Sequence, residues 1–387
     1  MSRSIPVCLI AFLAICASTV LASAQVTSSS TDNSSQTSSS PAAYVYVSNT
    51  VNGQNQITAY SAAANGSLTA IPGSPFQSNV NYLAVNGAWL FAIDQSNQSN
   101  PDDLIDSFSI GSNGALTLSD QTAANDSGGG MINLFLDHTG SSLYADFYTA
   151  NNDYLSYTIN QSTGALSYVN TVPGGPANNN PLSFIGNNQY AYSSSCYHFT
   201  PSIYGAQRDS SGALTSLNIN PPYPAEKSGG FYCPYLAAAD PNNHLAVALS
   251  PLTSSWASDG PTQLAVYTAD SAGNLTTTST NSNMPNVVVG GVTDYWMSPS
   301  GKYLAVAGTS GLQVFHFNGA SPITRFTGLL TKNEVDQVFW DNSNHLYGIS
   351  RKAGKLYVFT VTSSGVTQAP GSPHTVASPV DFIVLPK

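Results

Sequence analysis

A turn of the form Gly-small-Leu-Thr returns seven times along this chain, and its spacing limits the fold more than any other feature. Five copies are clear: Gly66-Ser67-Leu68-Thr69, Gly114-Ala115-Leu116-Thr117, Gly164-Ala165-Leu166-Ser167, Gly212-Ala213-Leu214-Thr215 and Gly273-Asn274-Leu275-Thr276. Two are degraded, Gly319-Ala320-Ser321-Pro322-Ile323-Thr324 and Gly365-Val366-Thr367. The Leu-equivalent positions 68, 116, 166, 214, 275, 323 and 366 are mostly about 50 residues apart. Short strands repeating with that period predict a β-propeller, each repeat being one four-stranded blade that buries its faces only against its neighbours.

Between turns the pattern is consistent. An inner strand leads through a polar turn, such as Asp137-His138-Thr139-Gly140 or Ser298-Pro299-Ser300-Gly301, into a second strand rich in Tyr, Ala and Val. A third strand follows, and the Gly-Leu-Thr turn opens the fourth. One strand is left over at each end, Tyr44-Val45-Tyr46-Val47 and Val380 to Leu385. Joined in one blade, they complete a seventh and close the ring, which removes the free edges of an open array. The repeated exit loops Pro72-Gly73-Ser74-Pro75-Phe76 and Pro370-Gly371-Ser372-Pro373-His374 agree with this. The expected fold is all-β, a seven-bladed β-propeller over residues 42–387.

Only 8% of the 387 residues are charged and the net charge is −10, against about 25% charged in ordinary soluble domains. Without Lys/Arg clusters the chain cannot neutralise phosphates, so nucleic-acid binding is excluded. Arg3, the apolar run Val7 to Ala17 and Ala22-Ser23-Ala24 read as a signal peptide over 1–24, cleaved before Gln25. A lipoprotein site at Cys16 fits less well, because Ile15 precedes the cysteine. Residues 25–41 are rich in Ser and Thr with no apolar period, which predicts a disordered linker. No stretch is long and apolar enough for a membrane span, so the chain is expected to be a secreted or periplasmic monomer.

Two cysteines remain after the signal. Cys196 ends the second strand of one blade and Cys233 precedes the inner strand of the next, so both belong to one face of the ring. In an oxidising compartment this predicts a disulfide; the alternative is two buried free thiols.

Aligning the inner strands puts Asn81, Asn133, Ser183, Leu236, Asp294, Asp336 and Asp381 at one height near the channel mouth. Three aspartates on neighbouring blades could hold a hard cation such as Ca²⁺, which takes several carboxylate and carbonyl oxygens, or a polyol. The competing reading is that each side chain bonds the backbone of the next blade. Glu334, Arg351 and His198 belong to the same rim, where Arg351 could meet a carboxylate or an oxyanion. No HExxH, paired CxxC, GxSxG or Gly-rich phosphate loop occurs, so the metalloprotease, zinc-finger, serine-hydrolase and P-loop classes have no support.

The segments YVYVSN at 44–49, ITAYSAAANGSLTAIPGSPF at 57–76 and SPSGKYLAVA at 298–307 resemble the secreted seven-bladed propellers of the lactonase (6-phosphogluconolactonase-like) family. That resemblance implies a propeller and, for members with the enzyme signature, hydrolysis of a sugar lactone. The family's Pro-Arg-His-like segment and second-strand Asn-Glu are replaced here: the ring holds Asn and Asp, and Asn49 is followed by Thr50. The expected function is therefore a non-catalytic binding module whose rim takes a glycan, small molecule or protein. The alternative is a lactonase-like hydrolase in which Asp336 or Glu334 activates water and Arg351 stabilises the oxyanion.

Overall fold

The computed structural model describes residues 40–94, 103–124, 130–147, 153–174, 180–197 and 200–387. The signal peptide, all of the linker but its last two residues, and His198 lie outside the described residues. The described chain belongs to one compact unit, residues 39–387. No helix among the described residues is long and apolar enough to cross a membrane.

Seven antiparallel sheets follow one another, each a meander of four strands. Blades one to six begin with the inner strands Val80–Val85, Met131–Leu136, Ser183–Phe184, Phe231–Ala239, Val292–Met297 and Gln337–Trp340. Blade seven is built from both ends of the chain: Pro379–Pro386 pairs with Ala43–Val51, followed by Gln54–Ala62 and Leu68–Ala70. Its register sets Val45 opposite Val384 and Val47 opposite Phe382. The exit loops carry a further short strand, Phe76–Gln77 and His374–Thr375, each paired with the third strand of its own blade. Two sequence-equivalent loops thus take the same structure.

The core is seven seams rather than one centre. Strand periodicity of two sends alternate residues to opposite neighbours. In Ala43–Val51, Ala43, Val45 and Val47 pack on Tyr347 and Ile349 of blade six, while Tyr44 and Tyr46 pack on Leu90 and Phe108 of blade one. In the seam between blades two and three, Tyr144, Tyr154 and Phe184 pack together, and Tyr154 donates to the Asn180 carbonyl at 2.8 Å.

The repeated turn has a mechanical reason. Second-strand aromatics reach across three seams to it: Tyr46 donates to the Gly114 carbonyl at 2.9 Å, Tyr144 to Gly212 at 3.0 Å and Tyr192 to Gly273 at 2.7 Å. The motif glycine is required twice over. Gly114 has φ +83°, and a Cβ there would meet Ile71 at 2.5 Å and Tyr44 at 2.9 Å.

Cys196 and Cys233 form a disulfide with Cα atoms 5.4 Å apart, tying the end of blade three's second strand to blade four's inner strand. Cys233 is buried.

Candidate functional site

A channel cavity of about 650 Å³ runs down the ring axis, and Asn133, Asp294, Asp336, Asp381 and Arg351 line it together. A second hollow of about 400 Å³ continues along blades three to five towards the turns at Pro241 and Pro299. Asn81 and Glu334 do not line the channel cavity. Asn81 pairs with Ile93 in blade one, and Glu334 sits half-buried in the connection entering blade six.

Within the ring, three of the seven aligned side chains are spent on the neighbouring blade. Asp294 Oδ2 accepts from the Val338 amide at 2.8 Å, and Asp381 Oδ2 from the Leu83 amide at 2.6 Å. Ser183 Oγ accepts from the Ala239 amide at 2.8 Å. Each bond satisfies an inner-strand donor of the next blade, since a buried amide without a partner is costly. Asp294 also takes the Tyr295 amide at 2.8 Å, and Asp381 takes the Gln337 side-chain amide. Asp336 departs from this pattern. It lies one residue ahead of the strand Gln337–Trp340, and its Oδ2 accepts the Arg351 amide at 2.7 Å instead.

The three aspartates therefore do not form a cage of free carboxylates. Among the described residues no three His, Cys, Asp or Glu side chains gather in a metal-holding arrangement. What remains is a mouth where an exposed Arg351 stands beside acids of raised pKa. Burial pushes Asp294 up to about 7, against the Val338 and Tyr295 amides and Arg351, which favour its charge; nearby Asp381 adds to the rise. Burial likewise raises Asp381, opposed by Gln337, the Leu83 amide and Arg351.

Three contributors have no place among the sequence candidates. Trp296 is 41% exposed and lines the cavity two residues below Asp294, on the same side of its strand. Its ring meets Phe339 at 5.0 Å. A period-two reading outward from Asp294 is the signal that finds it. Asn180 Nδ2 bridges the Ser194 carbonyl at 2.8 Å and the Tyr235 carbonyl at 2.7 Å, fixing the mouth between blades three and four. Gln337, which lines the cavity, links blades six and seven through Asp381.

A different buried acid stands behind the channel wall. Asp146, on the second strand of blade two, pairs in register with the lining residue Asn133 and with Tyr154. It is fully buried, and no hydrogen bond of good geometry reaches either carboxyl oxygen. Burial pushes it up to about 8, with Asn133 close enough to oppose the shift without cancelling it. On the opposite face of the ring, Asp240 and Asp341 fix His244 and His345 at 2.8 and 2.7 Å in equivalent turns. Those histidines brace the fold away from the mouth.

No protein-family model matches the chain. No curated protein sequence matches it either. Solved structures do. A candidate 6-phosphogluconolactonase from Bacteroides fragilis superposes with a TM-score of 0.66 at 15% identity, covering 90% of this chain and 99% of that one. A protein from Lactobacillus plantarum gives 0.64 at 15% identity, covering 89% and 99%. A candidate 6-phosphogluconolactonase from Bacteroides uniformis gives 0.63 at 14%, again covering 89% and 99%. At such identities the likeness is one of fold: the chain is a seven-bladed propeller like these proteins.

Proposed function

We propose that this chain is an exported binding propeller that holds a small polyhydroxylated molecule, a sugar or sugar acid, in the mouth of its channel. The observation carrying this reading is that Arg351, Asp336 and the exposed indole of Trp296 line one cavity of about 650 Å³. A guanidinium offers a planar fork of donors to a carboxylate or vicinal hydroxyls, a carboxylate accepts from hydroxyls, and an indole face covers the C–H face of a sugar ring. The disulfide between Cys196 and Cys233 supports export.

Hydrolysis of a sugar lactone is the second reading, favoured by one feature. Asp294, held near neutrality beside Arg351, has the pKa suited to a general base at neutral pH, and Arg351 could meet the oxyanion. Its carboxyl is nevertheless committed to two backbone amides, which weighs against its release for catalysis.

Calorimetric titration of the protein with gluconate and freshly dissolved glucono-δ-lactone tests both readings, with and without EDTA. Saturable heat that disappears in Arg351→Ala and Trp296→Ala is the expected result. Lactone loss above the uncatalysed rate, abolished in Asp294→Asn, would move the conclusion to the hydrolase. No heat with either compound would refute the binding reading.

A further inference from the structure

Blade four carries a rim feature that the channel does not use. Its inner and second strands, Phe231–Ala239 and His244–Leu252, pair as far as Phe231 opposite Leu252. The loop beyond them, Thr253 to Ser258, is wired into a rigid turn. The Trp256 amide donates to the Thr253 carbonyl at 2.9 Å, the Thr253 amide to the Ala257 carbonyl at 2.9 Å, and the Ala257 amide to Thr253 Oγ1 at 3.1 Å. A bridge between Leu252 and Ser258 closes the base.

The support beneath is equally fixed. Cys233 is cross-linked to blade three, and buried Tyr232 donates to Gln263 Oε1 at 2.6 Å while accepting from Asn281 Nδ2 at 2.7 Å. The wired loop holds Trp256 with φ +69°, its ring packed edge-on to Phe231 at 4.3 Å and still 42% exposed. The left-handed region costs a bulky L-residue on the order of 1–2 kcal/mol, and a glycine would close the same turn without strain. Strain of this kind, kept by an over-determined surround, is characteristic of ligand clamps.

The surroundings of the indole select the ligand. Ser254, Ser255 and Ser258 are exposed in the same loop, Asp259 follows them, also exposed, and no Lys or Arg lies within the loop. Tyr235, 45% exposed, stands lower on the same blade, in a bulge of the inner strand towards the channel mouth. A partly exposed indole among hydroxyls, with one carboxylate at the loop's edge, matches a pyranose, whose C–H face is apolar and whose edge is a ring of hydroxyls. A protein-docking patch would instead show contiguous aliphatic area around its aromatic anchors.

We propose that Trp256, held on its braced loop and backed by Phe231, is a stacking platform for a pyranose oligosaccharide, a second binding surface on the face that opens the channel. It is independent of what the channel mouth binds.

Intrinsic fluorescence reports it directly, because Trp89 and Trp340 are buried and only Trp256 and Trp296 of the four tryptophans are exposed. The probes are cellohexaose and chitohexaose, added to the protein and to Trp256→Gly and Trp296→Phe variants. Trp256→Gly relieves the left-handed strain, so its folding is expected to be intact and its melting temperature reports on that. The expected result is a saturable emission change with one of the two sugars, retained in Trp296→Phe. In Trp256→Gly, calorimetry should show binding about tenfold weaker, the upper end of what a single aromatic contact contributes. No response to either sugar, unchanged affinity in Trp256→Gly, or loss confined to Trp296→Phe would each overturn the proposal; the last would place the sugar in the channel.

Discussion

Replacing Asp146 with Asn should flatten the pH dependence of stability. Asp146 is fully buried without a well-formed hydrogen bond, and its folded pKa of about 8 stands far above the ordinary 3.8. Between these values the folded state carries a proton that the unfolded state has lost, so stability falls as pH rises. The contribution is fully present below about pH 3.8, declines by about 1.4 kcal/mol per pH unit, and is gone above about pH 8. From end to end that is about 6 kcal/mol. Over pH 5 to 8 it is about 4 kcal/mol, or a melting shift of about 8 °C for a chain of this size. Asn has the same shape and no titration, so Asp146→Asn should lose that slope while keeping the packing of Tyr144 and Tyr154. Asp294 and Asp106, raised to about 7 and about 6 by burial, give a slope of the same sign in both proteins. The difference between the two melting curves therefore isolates Asp146. Parallel curves from pH 5 to 8 would show that its carboxyl is solvated or paired, and the reasoning would fail.

Deleting residues 380–387 removes the strand that closes blade seven, including buried Phe382, Val384 and Leu385. Losing Phe382 and Leu385 alone is worth about 6 kcal/mol or more, comparable with the whole stability of many domains, so cooperative melting should disappear; an unchanged transition would contradict terminal closure. Reducing the Cys196–Cys233 bridge, whose partners are 37 residues apart in sequence, should destabilise the protein by about 4 kcal/mol through loop-closure entropy. Two free thiols on the denatured, unreduced protein would refute the bridge itself.

The blade architecture was legible because its signals are local and repeated. The turn at Gly114 needs glycine for its φ and for the approach of Tyr44, and the same close approach recurs at Gly66, Gly164, Gly212 and Gly273, so the requirement prints itself into the sequence in the five clear copies. Terminal closure was legible by strand counting, and the Cys196–Cys233 bridge by the face on which each strand ends. The mouth was legible only as a set of positions. Sequence alignment brought Asn133, Asp294, Asp336 and Asp381 to one level, and all four do line the cavity. It could not say which oxygens were already taken, because that depends on the distance from each carboxyl to a neighbouring blade's amide. Trp256 was illegible, and Trp296 legible only as a position, since period two from Asp294 puts it on the cavity side without telling that it is exposed. An aromatic residue in a strand or hairpin is ordinarily core, and only three-dimensional packing leaves these two exposed.

The ring of aligned side chains shows how scaffold and site compete for one chemistry. A propeller closed by seven inner strands must satisfy the amides those strands leave unpaired, and Asp294, Asp381 and Ser183 do so across three seams. A carboxylate used in this way is held rigidly, desolvated and driven towards its neutral form, as Asp294 is. It becomes a poor cation ligand, since coordinating a metal would mean giving up a backbone donor that has no other partner. Asp336 escapes this duty because it precedes its strand and caps the Arg351 backbone amide, and both residues line the mouth. On the proposed reading, recognition at this mouth would fall to Asp336, Arg351 and Trp296, lining groups whose side chains are not spent on a neighbouring blade's inner-strand amide.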